Sequence, residues 1–306
     1  STVYKNTYNG IKYKNINISR KIFGLGSQTL KYISEFSKLE HKKPSDIIEI
    51  HNRPIYVQRL PVNDTKIILY FHNDPLSMNG SKSEVERIKL LELCSKIVFN
   101  SQWSKDRFLS DIDEIYIKST KLIVIRQSTE PQKVNINDKE KIITFVGKLN
   151  KAKGYDVFGS AIIEILKKFK DWKAIVIGDE EREKITFNHE RLEIKGFKKH
   201  KDVIKILKKT NIAVVCSRWQ EPFGRTSLEA SSCGCAVIIT KRGGLPETIT
   251  NGIILENLSK DILYNSIHNL ILNKKYRKEL QQLSIKNFNL THTNASNLVD
   301  MYRNDI

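Results

Sequence analysis

Short runs of isoleucine and valine alternate with helical patterns along nearly the whole of this 306-residue chain. The strand candidates are Lys66–Phe71, Lys96–Phe99, Lys121–Arg126, Ile142–Val146, Lys173–Ile177, Arg191–Ile194, Ile212–Cys216, Ala236–Thr240 and Ile253–Leu255. Most are continuous apolar runs, the pattern of parallel strands covered on both faces. Helical periodicity fills the gaps at Gly26–Glu40, Ser83–Cys94, Trp103–Leu109, Asp156–Lys170, Asp202–Lys209, Thr226–Cys233, Lys260–Leu272, Tyr276–Phe288 and Ala295–Arg303. A repeated β-α order predicts an α/β protein with doubly wound sheets. The polar stretch Gln127–Lys141 has no clear period and reads as a linker. It separates a front domain, residues 1–130, from a back domain, residues 131–306, whose last helix is expected to pack back on the front. Two Rossmann-like domains with an intervening cleft is the expected architecture.

Charge narrows the partners. Lysine and arginine outnumber acids 52 to 34, a formal net charge of +18. The lysines are spread over the chain rather than gathered into one stripe, so nucleic acid is not expected as a partner. Short basic clusters at Arg20-Lys21 and His41-Lys42-Lys43 fit peripheral contact with an anionic membrane better. No apolar run approaches the roughly 18 residues needed to span a bilayer. The four cysteines, Cys94, Cys216, Cys233 and Cys235, lack the spacing of a zinc site and are expected to be buried free thiols in a cytoplasmic protein. Ser1-Thr2-Val3-Tyr4-Lys5 reads as a strand entered midway.

Chemistry concentrates in the back domain. Residues 217–230 place Glu221 and Glu229 around a Pro222-Phe223-Gly224 loop between a strand and a helix. Pro222 and Gly224 put Glu221 in the loop and Glu229 on the helix. Open α/β sheets bind their ligands at such carboxyl ends of strands. A competing structural reading is a capping box, with Thr226 at the N-cap and Glu229 bonding back to it. That reading leaves Glu221 and the later Gly243-Gly244-Leu245-Pro246-Glu247 loop unexplained. After the strand ending at Val146 comes Gly147-Lys148-Leu149-Asn150-Lys151-Ala152-Lys153-Gly154. A glycine there lets backbone approach a ligand, the following helix start favours an anion, and Lys148 and Lys153 add positive charge. The spacing fits neither G-x-G-x-x-G nor a P-loop.

Taken together, Gly147-Lys148…Lys153-Gly154, Glu221-x₇-Glu229 and Gly243-Gly244-x-Pro246-Glu247 resemble the donor site of glycosyltransferase family 4, retaining enzymes of GT-B fold. Weaker front-domain matches are Ile50-His51-Asn52-Arg53-Pro54, Phe71-His72-Asn73-Asp74-Pro75 and Phe99-Asn100-Ser101-Gln102-Trp103-Ser104. The His-Asn-Arg-Pro stretch is similar to the spore-coat and lipopolysaccharide branches of the family. Lys148 departs from the arginine usual there, keeping the charge but losing the bidentate fork.

The resemblance implies roles. Glu229 would accept hydrogen bonds from the donor ribose, and Glu221 would orient the donor sugar. Gly147, Phe223, Gly224 and Arg225 would line the approach, Lys148 and Lys153 would neutralise the diphosphate, and His72 would reach the sugar. The implied reaction is retaining transfer of a hexosyl or N-acetylhexosaminyl group from a UDP-, GDP- or ADP-linked sugar to a glycan or lipid-linked acceptor of cell-envelope polysaccharide. It would occur in the cytoplasm or at the inner face of the membrane. The nucleotide sugar is a co-substrate, and neither cofactor nor metal is implied. The family's opening strand and Gly-rich loop have no counterpart here, so the front domain is expected to be N-terminally incomplete. Gly24-Leu25-Gly26-Ser27 reads instead as the start of a helix. A nucleotide-sugar-binding fragment or pseudoenzyme is the alternative.

Overall fold

A computed structural model describes residues 7–8, 11–12, 14, 16, 28–61 and 65–306. The expected strand at Ser1–Lys5 and the glycine pair at residues 24–26 lie outside them. Two compact units emerge. One comprises residues 1–71, 75–98 and 110–122, and the other 72–74, 99–109 and 123–306.

The first unit opens with an antiparallel pair, β1 (Thr7–Tyr8) and β2 (Ile11–Lys12). Helix α1 (Gln28–Lys42) leads into β3 (Ile47–His51), the short helix α2 (Pro54–Val57) and β4 (Lys66–Phe71). Helix α3 (Glu84–Leu93) begins with a complete capping box between Ser83 and Glu86 and leads into β5 (Lys96–Phe99). Helix α4 (Gln102–Leu109), which belongs to the second unit, and α5 (Glu114–Ile117) precede β6 (Leu122–Val124). These strands form a four-stranded sheet in the order β3-β4-β5-β6, with β3 and β4 parallel. Strand β3 and helices α2 and α5 were not expected from periodicity. Glu49 interrupts the apolar run of β3, and α2 and α5 are single turns too short to show a period.

The second unit carries β7 (Glu140–Val146), α6 (Tyr155–Lys168), β8 (Lys173–Ile177), β9 (Leu192–Ile194), α7 (His200–Lys209) and β10 (Thr210–Val215). Then follow α8 (Arg225–Ser232), β11 (Ala236–Thr240), β12 (Ile253–Leu255), α9 (Lys260–Leu272), α10 (Lys274–Lys286) and α11 (His292–Arg303). Its six strands are all parallel, in the order β12-β11-β10-β7-β8-β9. Alternate residues of each strand serve opposite faces. Ile143 and Phe145 join Phe158, Ile162 and Ile267 in one core, while Ile142 joins Val203, Leu207 and Leu245 in the other. Burial on both faces is why these strands read as unbroken apolar runs.

Three cations close helix C-termini in this unit. Lys139 donates to Thr210 O (2.8 Å) beyond α7, Arg191 to Phe169 O (2.8 Å) and Trp172 O (3.0 Å) beyond α6, and Arg277 to Ile271 O (3.1 Å) on α9. Each satisfies carbonyls that a helix end leaves unpaired and sits at its negative pole.

Candidate active site

The chain enters the six-stranded sheet at β7, moves outward through β8 and β9, and returns at β10 on the other side of β7. Strands β7 and β10 therefore flank the point where the winding reverses, and the loops at their carboxyl ends diverge there. Both sequence motifs follow these two strands.

The loop after β7 is built to hold one lysine. Asn150 accepts a hydrogen bond from Lys153 N (3.0 Å), closing a 3₁₀ turn over Lys151–Lys153, and donates to Glu180 (3.0 Å). Lys151 N donates to Glu183 (2.9 Å). Gly154 has φ 74°, and a Cβ there would lie 2.0 Å from the Cys216 carbonyl oxygen. That approach lets the loop after β10 clamp the turn. Ala152 O accepts from Arg218 N (2.9 Å), Trp219 N (3.1 Å) and the Ser217 hydroxyl (3.1 Å). The Arg218 guanidinium grips both Asp156 oxygens (2.6 and 2.9 Å) and the Lys151 carbonyl (2.7 Å). Burial disfavours the ionised Asp156, but the hydrogen bonds and charge of Arg218 outweigh it and hold the carboxyl below its ordinary range.

Clamping brings Lys153 onto Glu221, and the two form an ion pair with side chains 33% and 13% exposed. Glu221 is itself fixed from behind. Its carbonyl accepts from Gly244 N (2.7 Å), and Gln220 accepts from Gly243 N (2.6 Å). At φ 59°, Gly243 passes so close that a Cβ would fall 2.1 Å from Glu221 O. Gly147, Lys153, Glu221, Gly224, Arg225 and Leu245 line a cavity of about 100 Å³. Whole-ligand sites run from roughly 300 Å³, so this cavity has room only for a fragment the size of a phosphoryl group or part of a sugar ring.

Glu229 sits apart from that lining but is linked to it. Its side chain is 8% exposed, and its Oε1 meets His200 Nε2 (3.1 Å) and Arg225 Nη2 (3.2 Å). Arg225, one turn earlier on α8, also lines the cavity. The capping box at Thr226–Glu229 does not form. Gly224, at φ 121°, takes the N-cap position without a side-chain cap, so α8 starts at Arg225 and Glu229 falls beyond the third helical position. Glu229 is thereby released from a capping role.

The other expected residues take different places. Lys148 is exposed and outside the cavity lining, and the Phe223 ring is buried in the core, leaving only its backbone to the loop. His72 is half-buried, with its carbonyl bonded to Asn100 Nδ2 (2.9 Å), and is likewise outside the lining. Glu247, grouped with the site by sequence, accepts from Gln102 N (2.9 Å) and Trp103 N (3.1 Å) at the start of α4 and pairs with Arg126 (2.9 Å). His200 and Gln220 were not foreseen. Neither stands in a recognisable pattern, and each acts through a residue more than 20 positions away. A larger cavity of about 300 Å³ lies in the first unit, lined by Tyr32, Phe36, His51, Arg53 and Tyr56 among others. It includes the His51 and Arg53 of the His-Asn-Arg-Pro stretch.

Comparison with known proteins gives the family and the fold. Residues 126–286, more than half of the chain, match the family model described as glycosyl transferases group 1. Spore coat protein SA of Bacillus subtilis is 24% identical over 85% of this chain and 79% of its own length. Anabaena Alr3699/HepE, solved in complex with UDP-glucose, superposes with a TM-score of 0.66 at 17% identity, over 90% of this chain and 83% of its own. A glycosyltransferase from Rickettsia africae gives a TM-score of 0.70 at 19% identity, over 92% and 83%. These likenesses identify the α/β arrangement of two parallel sheets as the GT-B fold. The clamped lysine turn, the glutamate pair and the glycine loop all lie within the matched segment, and the chain belongs to the group 1 glycosyltransferases.

Proposed function

We propose that this protein transfers a hexosyl or N-acetylhexosaminyl group from a UDP-, GDP- or ADP-linked sugar to a glycan or lipid-linked acceptor of cell-envelope polysaccharide, with retention at the anomeric carbon. The observation that carries the reading is the Lys153–Glu221 pair in a small cavity at the reversal point of the sheet. A lysine held against a carboxylate is a cation already in place for a phosphate. A partly exposed lysine side chain can turn to an incoming anion without refolding the loop. The cavity takes the sugar–phosphate end of the donor, and the nucleoside extends along the rim past Arg225 to Glu229.

In this reading Glu229 accepts hydrogen bonds from the ribose hydroxyls and Glu221 from the sugar hydroxyls. The acceptor hydroxyl attacks the anomeric carbon from the face of the departing group. As the new C–O bond forms, the bond to the β-phosphate oxygen breaks, its electron pair stays on the phosphate, and that oxygen takes the acceptor proton. Lys153, with the more exposed Lys148, stabilises the growing negative charge, which is where electrostatic catalysis has its effect. His72 approaches the sugar from a neighbouring loop. Lysines supply the neutralisation, so the reaction proceeds without a metal ion. The donor site lies within residues 131–306, and residues 1–130 supply the acceptor side.

The net charge of +18 and the basic clusters support peripheral attachment to the anionic inner face of the cytoplasmic membrane. No described helix is long and apolar enough to cross a bilayer. Calorimetry with UDP, GDP and ADP tests the binding half of the proposal, and release of labelled sugar from UDP-glucose, UDP-N-acetylglucosamine and GDP-mannose tests turnover. Binding to one nucleotide that is weakened but still measurable in Glu229→Ala, together with turnover, supports it. Binding without turnover reduces the protein to a nucleotide-sugar-binding module. RNA binding with a steep salt dependence and no nucleotide affinity overturns it.

A further inference from the structure

We infer that His200 is a positioning residue for the donor: it fixes the rotamer of Glu229 so that one carboxylate oxygen is kept for the ribose. The inference rests on the donor-site reading above and adds to it a residue from a different helix. His200 is the first residue of α7, and Glu229 lies on α8. Its Nε2 stands 3.1 Å from Glu229 Oε1, and the carboxylate can only accept, so Nε2 carries the proton.

The two partners of Glu229 divide its oxygens. Arg225 Nη2 reaches the same Oε1 at 3.2 Å, so two donors from two helices converge on one atom. Among the described residues, Oε2 accepts no hydrogen bond. The side chain is 8% exposed, which leaves it few other orientations, while His200 is 61% exposed and Arg225 57%. An exposed histidine held over a nearly buried carboxylate does little for the core. What it does is restrict rotation about the last torsion of Glu229, a soft and roughly two-fold torsion when nothing holds it. With Oε1 occupied from both sides, Oε2 stands ready as an acceptor. A sugar hydroxyl can donate to it without first displacing a protein group. Arg225 alone cannot do this, because it sits on the same helix and can follow the carboxylate as it turns.

The test uses the full chain and whichever of UDP, GDP and ADP binds most tightly by calorimetry. His200→Ala is expected to weaken binding roughly three- to tenfold, the worth of one hydrogen bond, with an unchanged melting temperature. His200→Gln, which keeps a donor at similar reach, is expected to recover at least half of that loss. In Glu229→Ala, adding His200→Ala is expected to change affinity no further, because the histidine acts only through that carboxylate. A further loss in the double variant would mean that His200 touches the nucleotide itself and would overturn the inference. So would wild-type affinity in His200→Ala, or failure of His200→Gln to recover any of the loss. Wild-type affinity in Glu229→Ala, or no binding of any of the three nucleotides, would instead overturn the donor-site reading.

Discussion

Lys153 and Glu221 form a pair whose two members are expected to fail in different ways. Lys153 is assigned to the diphosphate, so Lys153→Ala should weaken nucleoside diphosphate binding by about tenfold, the usual cost of a charge-assisted hydrogen bond. Glu221 is assigned to the sugar. Glu221→Gln should leave nucleoside diphosphate affinity within about threefold of wild type while lowering sugar transfer by on the order of 100-fold, as loss of a group that acts on the reacting sugar does. Calorimetry and a turnover assay separate the two effects. An equal loss of diphosphate affinity in both variants would show that the pair acts as a structural ion pair. The carboxylate spacing and the Gly-Lys turn were legible in the chain because local sequence carries them. His200 and Gln220 were not, because their partners arrive only when the sheet brings distant loops together.

The loops after β7 and β10 behave as one element, joined at Gly154 and Ala152. Gly154→Ala would place a Cβ 2.0 Å from Cys216 O in a left-handed backbone. The expected cost exceeds about 1 kcal/mol, read by urea denaturation, together with loss of nucleotide binding as Lys153 moves. The Arg218–Asp156 grip has a pH signature. Asp156 titrates below its ordinary value of 3.8 in the folded chain, so its stabilisation is present above that pH and disappears as pH falls through the lower folded value. The stability difference between wild type and Arg218→Ala should therefore stay constant from pH 5 to pH 7 and shrink below about 3.8. A difference that grows on acidification would contradict this assignment. Element boundaries show where sequence reasoning falls short. Helix α8 starts at Arg225 because Gly224 takes φ 121°, which no apolar pattern announces. The Thr226–Glu229 spacing satisfied a capping rule that the backbone did not follow.

At the scale of the molecule, the repeated β-α order was enough to read an α/β protein with doubly wound sheets, because strands buried on both faces leave runs such as Ala236–Thr240, whereas the GT-B fold was legible only through the resemblance of the motifs. What held the helices in place was less visible. Lys139, Arg191 and Arg277 looked like part of a general basic bias, yet each closes a helix end. The cysteines followed expectation, since Cys94, Cys216, Cys233 and Cys235 are all free and buried. Burial pushes the thiols of Cys94, Cys216 and Cys233 up to about 12. A disulfide-exchange reagent at neutral pH is expected to label none of the four in the folded chain and all of them in denaturant. Rapid labelling of the folded chain would show that the core opens. The account as a whole is tested most directly by a crystal structure soaked with the tightest-binding nucleoside diphosphate. It predicts Lys153 Nζ turned from Glu221 onto a phosphate oxygen and Glu229 Oε2 within hydrogen-bond distance of the ribose. A nucleotide bound elsewhere, with the Lys153–Glu221 pair intact, would contradict it.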